Sequence, residues 1–257
     1  MRIQGSVVIV TGASSGIGAA TARLLARRGA TVVLAARRKG EIHAIAGEIE
    51  QAGGRALAVP TDVTSRIEID RLVERTVDAY KRVDALVNNA GTGGGGTIAD
   101  SDEQMRQVLE VNLLAPGRLV QAALPHLRRQ GGGIIVNIGS VAGEVGVSGM
   151  YSASKFGLRG LNDALRRELR ADNIQVVLIE PGFIRTGMTA GLRLPIPGPA
   201  VVARAVAAVI ERPRRTVVVP WYYMPPILLV KLFPGLADRI IGSRQAQRRY
   251  REREHTR

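Results

Sequence analysis

The chain has 257 residues, 46% of them hydrophobic and 23% charged, a balance that fits a packed globular protein and excludes wholesale disorder. It contains no cysteine, which excludes disulfides, thiolate zinc sites and cysteine nucleophiles. Its formal net charge is +14, and only four of the 36 basic residues are lysines (Lys39, Lys81, Lys155, Lys231), so the excess is almost all arginine. Such a charge attracts nucleic acid, anionic lipid or acidic substrates. No basic stripe interleaved with aromatics is present, however, so the body of the chain reads as a solvated, arginine-biased surface with no nucleic-acid partner. The three histidines, His43, His126 and His255, lie far apart, and no metal site is expected.

In chain order, seven short apolar runs read as strands: Val7–Val10, Val32–Ala36, Ala56–Val59, Ala85–Asn88, Ile134–Ile138, Val176–Ile179 and Val217–Val219. The first is reached at once, with no apolar leader or cleavage site before it, so a cytoplasmic location is expected. Helical periodicity fills the intervals, for example Ile42, Ile45, Ala46 and Ile49, then Ile69, Leu72, Val73, Thr76, Val77 and Tyr80. Nearly all-apolar strands alternating with helices predict a parallel sheet covered on both faces, a doubly wound α/β fold of Rossmann type with about seven strands. No repeat or linker interrupts it. We therefore expect one domain over residues 1–220 and an apolar and basic extension over 221–257, with the ligand at the carboxyl ends of the strands.

The first strand runs into Thr11-Gly12-Ala13-Ser14-Ser15-Gly16-Ile17-Gly18 and then a helix. Glycines there let the backbone turn sharply and approach a pyrophosphate at the helix amino terminus. The position between strand and helix, at the start of a βαβ unit, makes this a dinucleotide-binding signature. At the end of the second strand, where a carboxylate commonly holds an NAD ribose, the chain has Ala35-Ala36-Arg37-Arg38. An arginine fork suits a 2′-phosphate, so NADP is expected ahead of NAD.

The spacing TGxxxGxG resembles that of the short-chain dehydrogenase/reductase family. The resemblance continues through Asp62, Asn88-Asn89-Ala90-Gly91, Asn112, Ser140, Tyr151-Ser152-Ala153-Ser154-Lys155 and Pro181-Gly182, from residue 5 to about 190. It implies that Gly12, Ser14, Ser15, Gly16, Ile17 and Gly18 hold the pyrophosphate, that Arg37 meets the 2′-phosphate, and that Asp62 and Val63 meet the adenine. It further implies that Asn89, Ala90 and Gly91 line the cofactor, and that Pro181, Gly182, Ile184 and Thr186 border the nicotinamide.

Tyr151 and Lys155 are four apart at the start of a predicted helix and share a face. A tyrosine hydroxyl near pKa ~10 is a poor base at neutral pH. A nearby ammonium and an oxidised nicotinamide both favour the phenolate, so the tyrosine pKa is expected to fall toward the working range. Ser140, after the fifth strand, is placed to hydrogen-bond a substrate oxygen. By resemblance, Asn112 holds a water that links Lys155 to solvent, and Lys155 bonds the ribose hydroxyls. Ser140 and Tyr151 are eleven apart, a residue or two closer than in relatives, so the Gly143–Met150 loop is short and could misplace the serine.

These residues imply an NADP-dependent oxidoreductase interconverting a ketone or aldehyde with an alcohol, on an apolar or lipid-like substrate. A 3-ketoacyl-thioester reductase and a non-catalytic dinucleotide sensor are the alternatives, and the retained tyrosine and lysine speak against the sensor. Residues 187–199 are expected to form a lid. The segments around 102–130 and 151–171 match helices through which relatives pair, so a homodimer or homotetramer is expected. After Pro220 come Trp221, Tyr222, Tyr223 and Met224, an apolar run broken by Pro225, Pro226, Lys231 and Pro234, and then a tail with six arginines and two glutamates in 243–257. The prolines and the lysine preclude one uninterrupted span of ~20 residues. Two readings stand: the extension closes the substrate pocket or a subunit interface, or it lies on a membrane surface.

Overall fold

The computed structural model describes residues 1–93, 101–190 and 195–241. Seven strands form one parallel sheet: β1 (Val7–Thr11), β2 (Thr31–Ala36), β3 (Arg55–Pro60), β4 (Ala85–Asn88), β5 (Gly133–Ile138), β6 (Ile174–Pro181) and β7 (Thr216–Val219). All seven coincide with the apolar runs of the sequence, extended by one or two residues at most ends. Their order is β3-β2-β1-β4-β5-β6-β7, so the winding reverses between β1 and β4. A crevice for ligand opens there, beyond the carboxyl ends of the strands.

Alternate side chains of each strand feed two cores. Val8, Val10, Val32 and Leu34 pack beneath α1 (Gly16–Arg27), α2 (Lys39–Gln51) and α7 (Ala200–Glu211). Val7, Ile9, Val33 and Leu86 pack beneath α3 (Arg66–Tyr80) and α5 (Ala115–Arg129) on the opposite face. Every residue of β1 and β2 is buried, because helices cover both faces of a central parallel strand. The edge strand β3 is mostly half-exposed.

Local chemistry sets the helix ends. The Ser65 side chain accepts from the Glu68 amide and starts α3, and Lys81 ends it in the left-handed region at φ 62°. Ser101 and Gln104 form a reciprocal capping box at α4 (Asp102–Leu109). The segment expected as one long helix over 102–130 is divided: a π-helical turn at Glu110–Leu114 joins α4 to α5. Such a turn inserts an extra residue into the helical ladder and re-aims a side chain. Here Asn112, fully buried, sits in that turn. α6 (Gly149–Glu168) then carries the Tyr151 and Lys155 pair. Along its leucine stripe Leu158 is buried and Leu161 and Leu165 are half-buried, and Leu169, just past its end, is buried.

Three buried asparagines bridge sheet and helix on that side. Asn88 Nδ2 donates to Asn137 Oδ1 at 2.8 Å, and Asn137 Nδ2 donates to Asn162 Oδ1 at 3.0 Å. Beyond β7 the chain makes a short turn at Trp221–Tyr223, then α8 (Met224–Leu232) and α9 (Pro234–Ile241). Residues 191–194 of the expected lid and 242–257 of the tail lie outside the described residues, as do the side chains of Ala237, Ile240 and Ile241. Among the described residues, no helix is long and apolar enough to cross a membrane.

Candidate active site

The glycine loop at the end of β1 is built for close approach. Gly12 has φ +63°, and a Cβ there would lie 2.8 Å from the Ala90 Cα and 2.9 Å from Asn89 Nδ2. A Cβ on Gly18 would lie 2.3 Å from the Gly12 carbonyl oxygen. Gly16, at φ +54°, faces the Thr186 methyl, 3.3 Å from where its Cβ would be. Asn89 Nδ2 donates to the Thr11 and Gly12 carbonyls at 2.9 and 3.3 Å, and Thr11 Oγ1 accepts from the Asn89 and Ala90 amides at 3.0 Å. These bonds lock the loop to the end of β4.

The amino terminus of α1 follows directly. Ser15 is extended at φ −165° and forms no side-chain cap, and no acidic residue occupies the first turn. Unsatisfied amides with no competing carboxylate suit a pyrophosphate. A dinucleotide therefore fits the residues present: a loop with no room for a Cβ at Gly12 or Gly18, at an uncapped helix terminus.

At the end of the second strand Arg37 and Arg38 are both exposed, and Arg38 donates from Nε and Nη2 to Ser14 Oγ at 3.2 and 3.0 Å, which joins it to the glycine loop. A carboxylate is nearby after all, because Glu41 in the first turn of α2 lies 3.8 Å from Arg38.

Several expected cofactor residues also make contacts within the protein. Val63 and Ile184 are buried in the two cores, and the half-buried Ile17 packs against one of them. Asp62 Oδ1 accepts from the Thr64 amide and hydroxyl at 2.9 and 2.8 Å, which orders the turn after β3. Pro181 ends β6, paired with Val219. Thr186 caps the turn at Gly187–Thr189 and, through Gly16, brings that segment against the glycine loop.

The four catalytic candidates converge. Ser140, extended at φ −168°, accepts from the Ala142 amide at 3.1 Å and stands near enough to the Tyr151 hydroxyl to pull its pKa down. The short connection between them leaves the serine beside the tyrosine. Lys155, one turn along α6, places Nζ 5.8 Å from the centre of the Tyr151 ring and donates to the Ile138 carbonyl at 3.1 Å. Asn112 accepts the Thr92 amide at 2.9 Å and donates to the Thr92 carbonyl at 2.9 Å and Ser154 Oγ at 3.1 Å. Ser154 in turn donates to the Tyr151 carbonyl at 2.7 Å. Asn112 thus clamps the loop after β4 to Ser154 in the second turn of α6. It also approaches the lysine, since a Cβ on Gly91 would lie 3.3 Å from Asn112 Oδ1 and 3.8 Å from Lys155 Nζ.

Burial governs the protonation of the pair. It pushes the Tyr151 phenol above its usual value, against a smaller opposing pull from the Ser140 hydrogen bond. Burial also brings the Lys155 ammonium from 10.5 down to about 8. The expected fall of the tyrosine pKa named the lysine and the oxidised nicotinamide together; in the protein without cofactor, desolvation of the phenolate dominates and the shift is upward. The consequence is a phenol that keeps its proton at neutral pH, the form in which it can act as an acid.

Two features escaped the sequence. The Tyr223 ring covers Gly182, where a Cβ would fall 2.2 Å from Cε2, and its hydroxyl accepts the Phe183 amide at 3.2 Å. A charge cluster lies next to it: Arg159 pairs with Glu144 and, at 3.0 Å, with Glu180, and Lys231 of α8 also pairs with Glu144. Glu144 stands four residues past Ser140, so α8 is tied to the wall of the site. The available signal was the single lysine inside Ile227-Leu228-Leu229-Val230-Lys231-Leu232-Phe233, since a lone charge in an apolar run calls for a partner.

Comparison with known proteins places the sequence and the fold. The pattern of the family described as short chain dehydrogenase matches residues 6–196. A ketoacyl reductase, HetN, from Nostoc sp. is 37% identical over 227 residues, covering 84% of this chain and 79% of that protein. A solved structure of a variant actinorhodin polyketide ketoreductase with NADPH is 34% identical, with TM-score 0.80, over 84% of this chain and 95% of that one. A 7α-hydroxysteroid dehydrogenase complexed with NADH and 7-oxo glycochenodeoxycholic acid is 29% identical, with TM-score 0.81, over 85% and 94%.

Proposed function

From the premise that the chain belongs to the short-chain dehydrogenase/reductase family, we propose that it reduces an extended apolar ketone to the alcohol, and the reverse, with NADP(H). The observation that carries the reading is the convergence of Ser140, Tyr151 and Lys155 at the end of the sheet where Gly12 and Gly18 leave no room for a side chain. The loop at 12–18, the Ser14 and Arg38 pair and the segment from Pro181 to Thr186 would hold the dinucleotide. When bound, it supplies or accepts the hydride at its nicotinamide.

The protein's own groups manage the proton. The Tyr151 hydroxyl gives its proton to the carbonyl oxygen in reduction and takes it back in oxidation. Ser140 hydrogen-bonds the same oxygen and fixes its position. Lys155 contributes donors toward the ribose, and its charge favours the phenolate once the proton has left. General acid catalysis of this kind contributes roughly 10²–10⁴-fold. Arg38 supports a preference for the phosphorylated cofactor, because a guanidinium fork matches a phosphate dianion. Support for an apolar substrate comes from Val147, Phe183 and Met188, which are large, apolar and 46–52% exposed on the segments around the site.

A 3-ketoacyl thioester is the specific candidate favoured by the likeness to ketoacyl reductases. The test is a panel of 3-ketoacyl thioesters, cyclic ketones and short aldehydes, followed by loss of NADPH or NADH absorbance. The reading expects turnover to rise with apolar substrate length and to favour NADPH. Equal rates across the panel, or none with any carbonyl, overturn it.

A further inference from the structure

The segment after β7 presents an apolar surface that the other described residues do not cover. Within residues 221–236, eight large apolar side chains are at least 40% exposed: Trp221, Tyr222, Met224, Leu228, Leu229, Leu232, Phe233 and Leu236. In α8 only Ile227 is buried. A soluble surface rarely gathers so much apolar area without a partner for it. Nor is the segment a loose end. Tyr223 is seated on Gly182 and hydrogen-bonds Phe183, and Lys231 pairs with Glu144. The exposed side chains therefore stand on a platform fastened at both ends of α8.

We propose that this face, residues 221–236, is a docking surface for an anionic lipid bilayer. Helices of nine and eight residues are too short to cross a bilayer and suit a position in the interfacial plane. Trp221 and Tyr222 border the apolar surface, where amphipathic rings meet headgroups. The chain as a whole is at +14, and in sequence residues 221–257 carry eight basic residues against three acidic ones, so the protein is attracted to negative headgroups. A second copy is the weaker occupant, because two chains at +14 repel one another whereas an anionic bilayer attracts each. Docking also turns the site toward the lipid: Gly182 underlies Tyr223, and Glu144, the partner of Lys231, follows Ser140 by four residues. An apolar substrate can then reach the catalytic groups from the bilayer.

The test uses the full chain, floated with phosphatidylserine–phosphatidylcholine vesicles or with phosphatidylcholine alone, at low and high salt. The expected result is flotation with the anionic vesicles only, lost at high salt. The double variant Leu228→Glu/Leu232→Glu, which alters exposed positions, should lower partitioning at least tenfold and leave reduction of a water-soluble ketone unchanged. If that variant does not fold, Trp221→Ala/Phe233→Ala takes its place with the same expectation. Light scattering on the same samples reports the alternative occupant. Absence of wild-type flotation, equal flotation of variant and wild type, or a wild-type dimer that the variant splits without any vesicle binding overturns the proposal.

Discussion

Replacing Lys155 by methionine should remove activity and make the protein more stable. The ammonium is 6% exposed, and burial lowers its pKa from 10.5 to about 8. At about 1.36 kcal/mol for each tenfold change in proton affinity, that gap corresponds to roughly 3 kcal/mol of folding free energy lost to the buried charge. Methionine forfeits the bond to the Ile138 carbonyl, worth about 1 kcal/mol, which leaves a net gain of about 2 kcal/mol. For a chain of this size that is a rise in Tm of roughly 4–8 °C. The pH dependence has a definite sign. Below about pH 8 the lysine is charged in both folded and unfolded chains, and the full cost is present. Between about 8 and 10.5 the unfolded chain binds more protons, so wild-type stability rises with pH and the advantage of the variant shrinks. The assay is thermal unfolding of both proteins without cofactor from pH 6 upward, beside turnover at neutral pH. A variant less stable than wild type at pH 7, or an advantage that does not fade at alkaline pH, refutes the reasoning.

Gly182→Ala should drive the Tyr223 ring off the site, because the new Cβ would fall within 2.5 Å of three ring atoms. Overpacking of this kind costs ~1–3 kcal/mol, measurable by denaturant unfolding, and Gly182→Ala/Tyr223→Ala should recover much of it. Additive effects would show that the two residues do not meet. Arg38→Ala should weaken NADPH binding about tenfold or more while changing NADH binding little, at the lower end of one charge-assisted hydrogen bond of ~1.5–3 kcal/mol. Titration of both cofactors by fluorescence checks this, with Arg37→Ala as the companion, and an equal loss for both cofactors assigns Arg38 to holding the glycine loop alone.

The seven strands were legible because a parallel strand covered on both faces is almost wholly apolar, as Val7-Val8-Ile9-Val10 is. The glycine loop and the Tyr151 and Lys155 pair were legible because their spacing is local. What was missed depends on distance in the chain or on burial. The π-helical turn at Glu110–Leu114 carries no periodicity that separates it from the flanking helices, so Asn112 appeared as one residue of a long helix. Tyr223 reaches Phe183 across 40 residues and Lys231 reaches Glu144 across 87, contacts that only the fold creates. Arg37 and Arg38 are adjacent, and nothing in their spacing says which one meets Ser14. The raised Tyr151 pKa follows from burial, a property of the packed site rather than of the neighbour four positions away.

The central claim is that Tyr151 supplies the proton in carbonyl reduction, and Tyr151→Phe tests it most directly. The substitution removes one hydroxyl and keeps the ring. Turnover of the best carbonyl substrate should fall by roughly 10²–10⁴-fold, the contribution of a positioned general acid. NADPH affinity, measured by fluorescence on the same preparation, should stay within about twofold. A phenylalanine variant that keeps a tenth or more of wild-type turnover would contradict the account.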